Sequence, residues 1–161
     1  MRAGEIQASP KPEGLLTIGI GTSDFGPAGY SSLAYVVGKS LFMFRYWGAD
    51  EFRLGVEGNF DEPALTFREY GLLYGRTFRK SILELSASVG IAYIDGIDRG
   101  RLIQYHEYER IQISTIGIPF EARFRFDLGF INLGGAWYGG IYNKKFSDGA
   151  MLEISLKLFG Y

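Results

Sequence analysis

The chain has no cysteine and a single histidine among its 161 residues. Without thiols there is neither a disulfide framework nor a thiolate zinc site. The absence says nothing about compartment, because an oxidising compartment does not require disulfides. An excess of one charge sign is lacking too. Lys plus Arg is 17 and Asp plus Glu is 18, for a net charge of -1. No basic stripe offers the positive field that phosphate backbones need, so nucleic acid is not the expected partner. Long hydrophobic runs are missing as well. A membrane-spanning helix needs about 18 or more apolar residues. The longest weakly polar stretch, LGGAWYGGIY from Leu133 to Tyr142, is interrupted by four glycines. The opening MRAGEIQASPKPEG has no apolar core of the kind a signal peptide carries. An exported form would be one from which the signal has been removed. Residues 1–13 are expected to be a flexible N-terminal segment, and 14–161 a single domain.

Glycine and aromatics are abundant instead: 23 Gly, 11 Tyr and 13 Phe. Yet the mean hydropathy is only +0.01. Large apolar groups are therefore diluted rather than run together, and the dilution has a period. In ILELSASVGIAY, Leu83, Leu85, Ala87, Val89, Ile91 and Tyr93 alternate with Glu84, Ser86, Ser88, Gly90 and Ala92. Period two is the mark of a strand. The same alternation recurs and predicts eight strands at roughly 14–22, 30–38, 41–57, 66–78, 81–94, 109–125, 128–142 and 149–160. Lys39-Ser40, Arg79-Lys80 and the region around Arg125 to Asp127 read as tight turns. Residues 23–29, 58–65, 95–108 and 143–148 read as longer polar loops. One strand changes phase between Ile113 and Ile116, which predicts a β-bulge near Ser114-Thr115 with Pro119 tolerated beside it.

Eight alternating strands with short turns at one end predict an all-β fold, an eight-stranded antiparallel up-and-down β-barrel. One face of every strand is Leu, Ile, Val, Phe and Tyr. The other is Gly, Ser and Ala with Arg45, Arg53, Glu57, Glu84, Glu121, Arg123, Glu153 and Lys157. So small a barrel has room inside only for side chains. The small and charged face is therefore expected inside as a balanced salt-bridge network, and the apolar face outside against lipid. This makes the barrel transmembrane, with short periplasmic turns and longer extracellular loops. Trp47, Trp137, Tyr46, Tyr138 and Tyr142 read mostly as an interfacial girdle rather than a ligand cage.

The segments EYGLLYGRTFRKSILELSASVGIAYIDGIDRGRL, TIGIPFEARFRF and FINLGGAWYGGIYNKKFSDGAMLEISLKLFGY resemble small eight-stranded outer-membrane barrels, notably the outer-membrane barrel proteins of Bacteroidota-type bacteria. The likeness covers the C-terminal half well and the first 65 residues loosely. It implies location in the bacterial outer membrane, contact with outer-membrane lipid, and a C-terminal aromatic signal, Phe159 and Tyr161, read by the barrel-insertion machinery. Both signal residues share the phase of Lys157 rather than that of Leu158. The resemblance marks a fold and a location and carries over no catalytic residue.

No catalytic, cofactor or metal site is expected. His106 could act as a general base with Glu107 or Glu109. It reads first as a solvated loop histidine. Barrel lipid A deacylases place a Ser two residues after such a His, and here that position is Tyr108. Glu121 with Glu153 or Glu84 could form a hydrolytic carboxylate pair, but a lumen salt-bridge network is the plainer reading. Asp24, Asp95, Asp98, Asp148 and Glu62 lack the ligand spacing of a calcium loop. The leading expectation is a structural or partner-binding role through the loops, as a possible subunit of a larger envelope complex. Leu102, Ile103 and Tyr105 are the candidate contact, unless this stretch simply extends the sixth strand. A lipid-modifying enzyme, or a narrow channel or small-ligand carrier, is the alternative.

Overall fold

A computed structural model describes residues 11–50, 65–104 and 107–160. These residues form eight strands: β1 (Glu13–Ser23), β2 (Gly26–Val37), β3 (Ser40–Asp50), β4 (Thr66–Lys80), β5 (Leu83–Gln104), β6 (Glu107–Asp127), β7 (Ile131–Tyr142) and β8 (Lys145–Phe159). Each pairs antiparallel with its neighbours in sequence, and β1 pairs with β8 to close the barrel. Closure leaves no sheet edge within the wall, which is what a hydrocarbon solvent demands of a β-structure.

The alternation seen in the sequence sets the two surfaces. Ile18, Ile20, Leu72, Val89, Ile116 and Leu152 all lie more than half exposed on the outer wall. Such a continuous apolar surface around a whole molecule does not suit water; it suits the hydrocarbon layer. Aromatic pairs flank the belt. Phe42 stands against Tyr74 at 5.2 Å and Tyr35 near Phe159 at 6.2 Å towards one end. Tyr46 stands against Tyr70 at 5.1 Å and Phe120 against Trp137 at 5.1 Å towards the other.

Both described chain ends lie at the end with the connections β2–β3, β4–β5 and β6–β7, here called the turn end; the opposite one is the hairpin end. The turns sit slightly off their expected places. Gly38 and Lys39 connect β2 to β3, with Gly38 at φ +61°. Ser81 and Ile82, not Arg79 and Lys80, connect β4 to β5, with Ser81 at φ +55°. The chain turns where a left-handed residue and exposed apolar Ile82 can be placed, while Arg79 stays in β4 to reach the lumen. At the hairpin end, 23–29 and 143–148 are not long loops. Asp24-Phe25 and Asn143-Lys144 are two-residue turns, the latter with both φ values positive as a type I′ hairpin requires. The described part of 95–108 is not a loop either, because β5 runs on to Gln104 and β6 begins at Glu107. The third strand is described as far as Asp50, and the rest of the expected 41–57 lies outside the described residues, as does most of 58–65.

No bulge occurs at Ser114-Thr115. Tyr93↔Ile116, Ile94↔Thr115 and Asp95↔Ser114 follow in unbroken register. Ile113 points into the lumen and is buried, since the lumen is apolar at that height. The irregularity lies elsewhere. Gly14 pairs with Phe159 and Leu15 with Lys157, so Leu158 is the extra residue of a bulge. It turns Phe159 outward beside Leu158, and both are nearly half exposed. Gly14 is what lets the Phe159 ring lie flat, because a Cβ there would stand 2.3 Å from that ring.

Candidate functional site

The inward faces build a lumen filled in two different ways. Towards the turn end, charged side chains form one alternating chain. Glu69 accepts from Arg45 Nε at 2.9 Å, and Arg45 Nη1 also reaches Glu121 at 3.3 Å. Arg123 pairs with Glu121 and, at 3.2 Å, with Glu153. Arg125 lies 3.8 Å from Glu153 and 2.7 Å from Glu84. Arg79 donates to Glu84 at 3.1 Å and to Glu13 at 2.8 Å. Lys157 stands 3.7 Å from Glu13 and 2.7 Å from Asp127. Each cation thus bridges two carboxylates. Removing such groups from water is costly, and mutual pairing with hydrogen bonds is the arrangement that offsets the cost.

Of the eight lumen charges expected from the sequence, Arg45, Glu84, Glu121, Arg123, Glu153 and Lys157 take part in this chain. Arg53 and Glu57 lie outside the described residues. Glu13, Glu69, Arg79, Arg125 and Asp127 also belong to it and were missed. Glu69 sits in the alternation on the inward phase, so its signal was present. Arg79 and Arg125 look like turn residues in sequence, and Glu13 stands before the first apolar alternation.

Towards the hairpin end the filling is aromatic. Phe67 stacks on Trp47 at 4.6 Å and on Phe25 at 4.6 Å, and lies 5.3 Å from Tyr142. Tyr138 meets Trp47 edge-on at 5.0 Å and donates to the Thr22 carbonyl at 3.2 Å. Ile94, Ile113 and Met151 complete the plug. Trp47, Tyr138 and Tyr142 therefore face inward and are not girdle residues, in contrast to Tyr46 and Trp137. Their strand phase decides this, since Trp47 shares its face with Arg45. Tyr30 joins the two halves: its hydroxyl donates to Glu121 at 3.1 Å and accepts from Arg123.

The hairpin end also carries the one extended feature among the described residues. Among the described residues β4 pairs with β5 as far as Ile97, and β7 with β6 from Gly117. Beyond these points β5 and β6 pair with each other as far as Gln104↔Glu107, with register shifts near Leu102. From Ile97 to Gln104 that projection spans about 20 Å at normal strand rise. Lys145 reaches Asp98 at 2.5 Å and Thr115 donates to Asn143 at 3.1 Å, tying its base to the β7–β8 turn. Leu102 and Ile103 are 54% and 64% exposed on it. Tyr105 and His106 lie outside the described residues, as does Tyr161. Among the described residues no group of three His, Asp or Glu side chains is placed to hold a metal ion.

No protein-family model matches the chain. No curated protein matches it in sequence either. Solved structures do match in fold. The N-terminal β-barrel domain of Pseudomonas aeruginosa OprF superposes with a TM-score of 0.60 at 13% identity, over 92% of this chain and 100% of that one. Ail, the attachment invasion locus protein of Yersinia pestis, in complex with the heparin analogue sucrose octasulfate, gives 0.61 at 13% identity, over 92% and 99%. Neisserial surface protein A gives 0.57 at 11% identity, over 91% and 96%. What the chain shares with all three is their architecture: one closed antiparallel barrel of eight strands, over nearly the full length of each.

Proposed function

We propose that the protein is an integral outer-membrane barrel that serves as a rigid anchor and presents its β5–β6 hairpin to a protein partner outside the cell. The barrel of Bacteroidota-type bacteria that its sequence resembles is the suggested setting. Its turn end faces the periplasm, the arrangement favoured when both chain ends lie together at the short-turn end. Outer-membrane lipid and the barrel-insertion machinery are its obligatory contacts, the latter through Phe159 and Tyr161. The observation that carries the proposal is the exposure of Leu102 and Ile103 on a hairpin that outreaches the neighbouring strands. Apolar side chains at the far end of a projecting hairpin gain nothing from water or from the barrel core, and contact with a partner would bury them. Tyr105, two residues after Ile103, completes the proposed contact. The filled lumen supports the same reading, because it leaves the outer surface as the place to act. Deleting 97–106 tests it. The barrel should still fold and still migrate faster unboiled than boiled, while a protein that co-purifies with the full-length chain should be lost. A partner that stays bound to the deletion variant overturns the proposal.

A further inference from the structure

At the turn end the lumen opens into a cavity of about 310 Å³ lined by Lys11, Glu13, Val36, Gly38, Lys39, Thr77 and Arg79. Its charge is unlike that of the lumen above it. Glu13, the carboxylate in its wall, is already held by Arg79 and Lys157. Arg79 is shared between Glu13 and Glu84. Lys11 and Lys39 add two ammonium groups that have no carboxylate partner among the described residues. The balance of the pocket is therefore positive. The Thr77 side chain is buried and its hydroxyl has no hydrogen-bond partner among the described residues. A buried hydroxyl left unpaired costs free energy, and rotation about its χ1 would turn it to an acceptor in the cavity that recovers the cost. The pocket is also held in shape. The Thr77 backbone N–H donates to the Lys39 carbonyl at 2.9 Å, which fixes the β2–β3 turn over the cavity.

From this geometry we infer that the turn-end mouth is an anion site that takes a phosphate group, gripped by Lys11 and Lys39 and hydrogen-bonded by the Thr77 hydroxyl. Ammonium groups serve as point charges for phosphate, and hydrogen bonds between charged partners are the stronger kind. Two sources carry this chemistry, the headgroup of an anionic phospholipid and a free organic or inorganic phosphate. The cavity opens at the barrel end towards which the Tyr35, Phe42 and Tyr74 rings lie, beside the headgroup layer of the barrel rim.

The full-length protein, folded in zwitterionic detergent, is titrated with inorganic phosphate and followed by phosphorus line broadening. In parallel, protein in phosphatidylcholine nanodiscs containing phosphatidylglycerol is released in a native mass spectrometer and retained lipid is counted. The inference expects saturable broadening, one retained anionic lipid, or both, and the arm that responds names the source. Lys11→Gln with Lys39→Gln should weaken the response about tenfold or more, the size of one or two lost charge-assisted bonds. Thr77→Val should weaken it less, and Thr77→Ser should restore it. Heat-modifiability reports folding in every variant. No response in either arm, or a response that the lysine pair does not change, overturns the inference.

Discussion

The two halves of the lumen solve one packing problem with opposite chemistry. The interior of an eight-stranded barrel must be filled by its own side chains. At the hairpin end Trp47, Phe67, Tyr138 and Tyr142 fill it by ring contact. At the turn end Arg45, Glu121, Arg123, Glu153, Arg125 and Glu84 fill it by ion pairing. The aromatic half holds by area and shape, so each residue's loss is felt mainly by its neighbours. The ionic half holds by mutual compensation, so removing one member leaves its buried partners short of a counter-charge. The lesson is that phase along a strand, not residue polarity, decides what enters the lumen.

The largest expected effects come from a single loss in either half, beginning with the ionic one. Arg123→Met should cost about 3–5 kcal/mol, because Glu121 and Glu153 each lose one of their two cations and the Tyr30 hydroxyl loses its charged donor; urea unfolding in lipid vesicles measures it. In the aromatic half, Phe67→Ala should cost about 3–5 kcal/mol through the cavity it leaves. Unlike the first loss, it should be recovered by Phe67→Leu to the extent that Leu refills the space. Outside both halves, Val89→Arg should cost about 2–4 kcal/mol, as expected for a cation near mid-strand facing lipid. Arg at Ser88, one residue away on the lumen side, should cost less only where it meets a carboxylate. A neutral Val89→Arg would contradict the lipid-facing assignment. The smallest effect sharpens the contrast further. The Arg125→Met and Glu84→Gln losses should be non-additive by about 0.5–3 kcal/mol, whereas Arg125→Met and Phe67→Ala, in separate halves, should add.

Much of this was legible in the alternation itself. Leu83 to Tyr93 announced a strand with one apolar face, and eight such segments announced a closed barrel. Turn positions were read less well. Arg79 and Lys80 look like turn residues by charge, but the backbone reverses at Ser81, which takes a left-handed conformation that charge patterning does not reveal. Trp47, Tyr138 and Tyr142 were misplaced because aromatic character was weighed above phase. Ile113 led to an expected bulge for a related reason: an apolar residue on the polar phase signals an apolar stretch of lumen as readily as a shift of register. The true bulge at Leu158 rests on Gly14, some 140 residues away in sequence, so no local pattern could show it. The alternating ion chain was half visible. Its members come from β1, β3, β4, β5, β6 and β8, and only closure of the barrel brings them together.

A barrel plugged by rings at one end and by paired charges at the other should not conduct. Planar-bilayer recording of the purified, heat-modifiable protein tests this most directly. The expected record is a quiet bilayer with no stable steps across the accessible voltage range. Reproducible steps on the nanosiemens scale would show a lumen open to hydrated ions and would contradict the plugged barrel.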